Sequence, residues 1–253
     1  MTFESFQHLE ADQLWSAGGI VFRYFDYGAT FCWALSGAVL GARRGYDLTG
    51  IFATALVSSC GGGLLRDAVF LQAGPPALVR TPVYVTIAVL ASLVTWLAGA
   101  RRLGPWRGPV ARVTGIADAL GLGAFAVVGM RLSLAASIGV AGAILVGVVN
   151  AVGGGLLRSV LLRRTPEVLK PGRFTALAAF AGTLVYAALA VGLRLDERIA
   201  GVSAIVVAAA MRWASVRYRL KTQPAWSADS RRRWLRRRAV LRTRSKQLAV
   251  DRS

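Results

Sequence analysis

"SSCGGGLLRDAVF", residues 58–70, places three consecutive glycines and an Arg-Asp pair inside a run that otherwise reads as a hydrophobic helix. "NAVGGGLLRSVLL", residues 150–162, does nearly the same. Sliding the chain against itself by 92 residues superposes the two and also sets Asp26 on Asp118, Ala34 on Ala126, Gly37 on Gly129 and Gly50 on Gly142, with no gap. A register shift of two residues then pairs Pro76 with Pro166, Arg80 with Lys170 and Tyr84 with Phe174. Chance can repeat a glycine triplet, but it does not also hold the flanking register. The chain is an internal duplication.

The composition says where the duplication sits. Of 253 residues 55% are hydrophobic, and long windows carry no charge. A water-soluble domain of this size could not bury that much apolar surface in one core. The sequence therefore reads as an all-α integral membrane protein. Seven apolar windows, each with at most two charged residues, are near the length of a membrane-crossing helix: residues 24–42, 48–70, 82–100, 113–130, 134–162, 174–193 and 199–213. They divide the chain into an N-terminal extracytoplasmic segment (1–23), a first three-helix repeat (24–110), a second (111–195), a seventh helix (196–216) and a basic tail (217–253). The N-terminal segment holds three acidic residues and no Lys or Arg before Arg23, the wrong charge for a secretory signal peptide.

Each repeat holds three spans, and three is odd, so the copies lie in the membrane with opposite orientation, an arrangement that recurs in transporters. The net charge of +19 is concentrated at one end: fourteen of the 31 Lys and Arg residues follow Met211. That tail, with Trp234, Leu235, Val240 and Leu241 among its arginines, reads as a partner for anionic lipid head groups and not for nucleic acid. With the tail cytoplasmic, Arg43, Arg44, Arg101, Arg102, Arg107, Arg112, Arg163, Arg164, Lys170 and Arg173 fall in inside loops. Arg80, Arg131, Arg194 and Arg198 fall outside. The positive-inside rule then assigns N-out, C-in.

Three adjacent glycines cost a lipid-exposed helix roughly 1 kcal/mol each relative to alanine and bare its backbone. Two readings follow for Gly61, Gly62, Gly63, Gly153, Gly154 and Gly155: close packing of two helices, or a helix break lining a pathway. Arg66 and Arg158, three residues after each triplet, favour the pathway, because a cation within a span usually faces a partner or a water-filled cavity. Asp67 follows Arg66 and could pair with it, whereas Ser159 follows Arg158 and cannot. Ser58 and Asn150, three residues before each triplet, could line the same path with their oxygens. Asp26 and Asp118, mates near the start of each repeat, serve either as helix caps or in function.

Nothing points to an enzyme or a cofactor. "GLGAFA", residues 121–126, lacks a preceding strand, no Walker lysine follows either triplet, and His8 has no ligand cluster beside it. Cys32 and Cys60 both fall inside expected spans and read as packing residues, not a disulfide or metal pair.

Two inverted three-span repeats, each with a glycine triplet followed by Leu-Leu-Arg, plus a seventh span, resemble the prokaryotic trimeric intracellular cation (TRIC) channel family. "ALSGAVLGARRGYDLTG", "SSCGGGLLRDAV" and "PPALVRTPVY" resemble the duplicated domain of bacterial inner-membrane proteins in that family, a domain also called a glycine transporter domain. The resemblance covers about residues 24–213 and implies a homotrimer in a prokaryotic inner membrane. It further implies one pore per protomer and passage of monovalent cations, chiefly potassium. Of the residues above it carries over the six triplet glycines and, less firmly, Arg66 and Arg158. The alternative cargo is glycine, with the arginines attracting its carboxylate.

Overall fold

The computed structural model describes residues 19–72, 74–98, 107–170 and 174–218. The expected N-terminal segment up to residue 18 and the tail from residue 219 lie outside the described residues. Seven helices of twelve residues or more follow in order: α1 (Gly19–Arg43), α2 (Leu48–Leu65), α3 (Val83–Leu97), α4 (Arg107–Ala135), α5 (Val140–Leu161), α6 (Thr175–Tyr186) and α7 (Glu197–Arg217). Each expected window falls on one of them, and no strand occurs among the described residues. Five stretches are long and apolar enough to cross a membrane: Leu48–Leu71, Gly115–Ala135, Val140–Leu161, Thr175–Gly192 and Glu197–Arg217. Val83–Leu97 is apolar but shorter.

Three expected limits differ from the helix ends. The divisions at 23/24 and 110/111 fall inside α1 and α4, because both helices begin earlier than the apolar windows do; Arg23 and Arg107 are helical. The fifth window began at 134, but Leu134 belongs to the end of α4, and a tight turn intervenes before Val140.

That turn repeats at the mate positions. After α1, Gly45 takes a left-handed φ of +79° and the Tyr46 amide donates to the Gly41 carbonyl at 3.2 Å. After α4, Ser137 takes φ +60° and the Ile138 amide donates to the Ser133 carbonyl at 2.9 Å. Both are left-handed helix stops that satisfy the last carbonyls. Gly45, with no Cβ, adopts it without strain.

α1 packs on α2 and α3, and α4 packs on α5 and α6 in the same way. α1 lies against α4 and α2 against α5, while α7 rests on α4 and α6. At the α1–α4 contact the mates Trp33 and Phe125 meet edge to face at 5.6 Å and 84°, the geometry aromatic quadrupoles prefer. Much of the interior is small, with Ala34, Ala38, Ala126, Ala151, Ala204 and Ala208 fully buried, around a cluster of larger side chains that includes Phe22, Trp33, Leu122, Met130 and Tyr186. Many large aliphatic side chains point outward, as Leu90, Val94 and Leu97 on α3 and Ile199, Val206 and Val216 on α7 do. Small residues where helices touch, and large apolar ones on the outer face, suit packing when lipid is the solvent.

Candidate functional site

Neither glycine triplet interrupts its helix. Gly61–Gly63 lie within α2 and Gly153–Gly155 within α5, both continuous α-helix. The expected helix break is therefore corrected, and the packing geometry gives the reason. A methyl at Gly62 would overlap the Asn150 carbonyl oxygen, and one at Gly154 would overlap the Ser58 carbonyl oxygen, both far inside the 3.0 Å that real methyl groups respect. Gly61 would meet the Gly154 Cα at 3.2 Å, and Gly153 the Gly62 Cα at 3.0 Å. Two glycines of each triplet thus let α2 and α5 touch backbone to backbone, and tertiary contact offsets their low helix propensity. The third glycine behaves differently: a methyl at Gly63 would meet only the Arg66 Nη2 at 3.8 Å.

Gly63 stands open because it faces a polar cavity. The cavity lies between α1, α2, α3, α4 and α5 and has ≈ 20 Å³ of room for water centres, enough for about one water. Asp26 and Thr30 of α1, Ser59 and Cys60 of α2, Arg66, Asp67, Tyr84 of α3 and Asn150 of α5 line it. Five residues expected on sequence grounds (Asp26, Gly63, Arg66, Asp67 and Asn150) therefore converge on one place. Asp26 is buried and is no helix cap; its Oδ2 accepts the Tyr84 hydroxyl at 2.5 Å. Arg66 is also buried, and its Nε donates to Asp67 Oδ1 at 2.7 Å. The Asp67 Oδ2 accepts the Ala77 amide at 2.9 Å, so this carboxylate joins the end of α2 to the helical turn Ala77–Arg80. Asn150 donates through Nδ2 to the Phe125 carbonyl at 2.6 Å, while its Oδ1 has no protein partner.

The second copy differs. Arg158 is half-buried, donates to Ser36 Oγ at 3.2 Å and lies over the Trp33 ring at 5.9 Å. Ser159 turns back on its own helix and donates to the Gly155 carbonyl at 2.7 Å. Ser58 likewise donates to the Thr54 carbonyl at 2.5 Å and packs beneath Gly37, outside the cavity. Asp118 accepts from Arg212 of α7 at 3.3 Å, and the same guanidinium reaches Glu167 at 3.2 Å and Thr175 Oγ1 at 2.8 Å.

Arg212 carried a signal that could have singled it out, since it is a charged residue inside the seventh window, the criterion applied to Arg66. Tyr84 and Thr30 carried little beyond a polar atom in an apolar run.

After the triplets the two copies part company. The segment Arg66–Leu71 is a π-helix ended by Gln72 at φ +48°. The second copy stays α-helical to Leu161 and stops at Arg163, φ +50°. Gln72 is the mate of position 164, so the first copy reaches its left-handed stop one residue later. That residue is held in the π turn, the usual way a helix absorbs an insertion. The chain then takes four steps from Gln72 to Pro76 but three from Arg163 to Pro166, which completes the two-residue shift.

Comparison with known proteins matches this duplication. The family described as "Glycine transporter" matches residues 23–100 and again 115–191, two matches that begin 92 residues apart. The chain belongs to the glycine transporter (TRIC) family. Its relatives include the UPF0126 inner membrane protein YadS of Escherichia coli K12, 31% identical over 208 residues that cover 81% of this chain and 96% of YadS. A UPF0126 membrane protein of Deinococcus radiodurans is 31% identical over 77% of this chain and 87% of its own. Among solved structures, one describing conductance through TRIC cation channels superposes with a TM-score of 0.71 at 30% identity, covering 82% of this chain and 98% of its own. The TRIC trimeric intracellular cation channel orthologue from Rhodobacter sphaeroides superposes with a TM-score of 0.71 at 26% identity, over 79% and 99%. With this family, its inner-membrane relatives and its long apolar helices, the chain is a multi-pass plasma-membrane protein.

Proposed function

We propose that this glycine transporter (TRIC) family protein is a channel for monovalent cations, chiefly potassium. The observation that carries this is the pocket lined by polar side chains beside the α2–α5 crossing, in a fold shared with TRIC cation channels over four-fifths of the chain. Its wall offers carboxylate, hydroxyl and amide oxygens, the groups that replace water around a dehydrating cation. Asp26, Arg66, Asp67 and Asn150 serve the pathway directly, and the other expected residues take distinct parts in it. Gly61, Gly62, Gly153, Gly154 and Ser58 hold the crossing, Gly63 and Gly155 stand at its edges, Arg158 sits at the opposite end, and Asp118 anchors α7.

Seven membrane crossings with N-out, C-in topology complete the reading, α1–α3 and α4–α6 being inverted repeats. The mirrored packing of the two triplets of helices, the paired left-handed stops and the contact of the mates Trp33 and Phe125 support it. The protein assembles as a homotrimer, each protomer with its own pore, and its basic tail lies against anionic lipid.

Glycine is the less favoured cargo. The cavity's cation, Arg66, is already paired with Asp67, so it has no charge to spare for a carboxylate, and the space suits about one water-sized ligand. Purified protein in liposomes should carry a potassium-selective flux that glycine neither drives nor competes with. Saturable uptake of radiolabelled glycine without potassium flux would reverse the assignment.

A further inference from the structure

The two copies treat the two sides of the α2–α5 crossing unequally. On the Arg66 side the third glycine of the triplet, Gly63, faces the polar cavity, and a methyl there would meet no side chain but Arg66. On the Arg158 side its mate, Gly155, faces an indole. A methyl there would lie 3.6 Å from both Cη2 and Cζ3 of Trp33, and one at Gly154 would lie 3.2 Å from Cε3 of the same ring. The other edge of the ring reaches α4, where a methyl at Gly121 would overlap Trp33 Cδ1 and Nε1. Trp33 of α1 therefore spans from α4 to α5 and is 3% exposed. Its mate Phe125 borders the cavity, yet no atom of that ring lies within 4 Å of where a methyl at Gly63 would sit. The larger indole fills a space whose counterpart the phenyl leaves open.

The cavity's polar wall has apolar mates. Thr30, Ser59 and Tyr84 correspond to Leu122, Ala151 and Phe174, and Leu122 and Ala151 pack in the same buried cluster as Trp33. Asp118, the mate of Asp26, is drawn to Arg212, while Ser159, the mate of Asp67, bonds its own helix. A cation on the Arg66 side of the crossing meets carboxylate and hydroxyl oxygens. On the other side it meets an aromatic ring in an apolar wall, and constrictions of that kind stop ions by excluding water.

The ring is held in a way that lets it leave. Trp33 Nε1 is buried without a hydrogen-bond partner, whereas a buried indole N–H usually finds one. Rotation of the ring toward water breaks no hydrogen bond and satisfies that donor. What restrains it is Arg158, whose Cζ lies 5.9 Å from the ring centroid and whose Nη1 donates to Ser36 Oγ at 3.2 Å. Trp33 and Ser36 are three residues apart on one face of α1, so a single guanidinium spans both. We propose that Trp33 seals the ion pathway on the Arg158 side of the crossing and limits the rate of passage, and that Arg158 is a positioning residue that keeps the indole in place. The inference deepens the channel reading and rests on it for what passes.

Two measurements on the full-length chain test it. The first is rubidium uptake into proteoliposomes. Trp33→Ala should raise it about tenfold or more, and Trp33→Phe, which installs the mate's ring and reports even where Trp33→Ala does not fold, about threefold. Arg158→Met should raise it about threefold through loss of one cation–π contact, and should add nothing in the Trp33→Ala background, because it acts through the indole. The second measurement needs no flux. Cys60 lines the cavity on the Arg66 side, and with Cys32→Ser it is the one thiol in the chain. Its labelling by a charged methanethiosulfonate should quicken about tenfold when Trp33 is replaced, and in only one of right-side-out and inverted membrane vesicles. Uptake that both Trp33 variants leave at the wild-type rate overturns the seal and leaves the channel standing. One-sided quickening of labelling without uptake in any variant keeps the seal and removes the cation reading, whereas neither uptake nor quickened labelling overturns both. An Arg158→Met effect that persists in full without the indole overturns the positioning role.

Discussion

Replacing Gly62 by alanine inserts a methyl group against the Asn150 carbonyl oxygen, well under 3.0 Å away, with the carbonyl carbon behind it at 3.0 Å. The obstacle is backbone inside a helix, so no side-chain rotation relieves it. α2 and α5 must separate, and separation also unpacks Gly61 from Leu157 and Gly153 from Leu65. Overpacking of this kind costs typically 1–3 kcal/mol, and a backbone-on-backbone clash lies at about the upper end. Gly63, the next residue, has nothing nearer than Arg66 Nη2 at 3.8 Å. There the same methyl gains helix propensity, up to about 1 kcal/mol. Adjacent positions in one triplet should therefore differ by about 4 kcal/mol, on the order of 10 °C in melting midpoint for a chain of this size. The assay is thermal unfolding of the detergent-purified variants, followed by tryptophan fluorescence, with Gly154→Ala as the counterpart across the crossing. If Gly62→Ala melts with the wild type, or Gly63→Ala falls as far as Gly62→Ala, the close-approach account of the triplets is wrong.

Two further substitutions probe the charges. Asp67→Ser, which gives the first copy the second copy's residue, strands the buried Arg66 and frees the Ala77 amide; it should cost about 3 kcal/mol, and pairing it with Arg66→Met should recover much of that in the same melting assay. Arg212→Met removes the guanidinium that Asp118, Glu167 and Thr175 share; because both carboxylates are partly exposed, it should lower stability by about 1 kcal/mol, and it should expose α7 to limited proteolysis. Arg212→Lys should rescue only part, because a point charge cannot reach three separate acceptors as a guanidinium does.

The duplication was legible because the pairs it predicts are physical neighbours or mirror images. Gly37 packs on Ser58 and Gly129 on Asn150, Gly62 on Asn150 and Gly154 on Ser58, all at the 92-residue offset. What the glycines do was less legible. Their cost to an isolated helix argues for a break, but a one-dimensional reading cannot weigh that cost against a partner helix arriving at the same spot. The charged groups were read by the same local rule and so were half placed. Arg66 and Asp67 are adjacent in sequence and pair as adjacency allows, whereas Asp118 finds Arg212 at a separation of 94 residues, a distance over which no local pattern operates. Thr30 and Tyr84 escaped notice because one hydroxyl in an apolar run is ordinary until its neighbours are known.

The contrast between Asp67 and Ser159 follows from the unequal lengths of the copies. The extra residue ahead of Gln72 converts the end of the first triplet helix into a π turn, which widens the helix and shifts its hydrogen bonds by one place. The widened end needs tethering to the loop that follows, and Asp67 supplies the tether by holding Arg66 Nε with one oxygen and the Ala77 amide with the other. In the second copy the helix stays α up to its stop, so Ser159 has only its own helix to satisfy and bonds the Gly155 carbonyl. A symmetric duplication would place equal arginines at both ends of the crossing. The insertion makes one of them a buried, neutralised wall of the cavity and leaves the other half-exposed over Trp33, so the two ends of the proposed pathway differ in charge because they first differed in length.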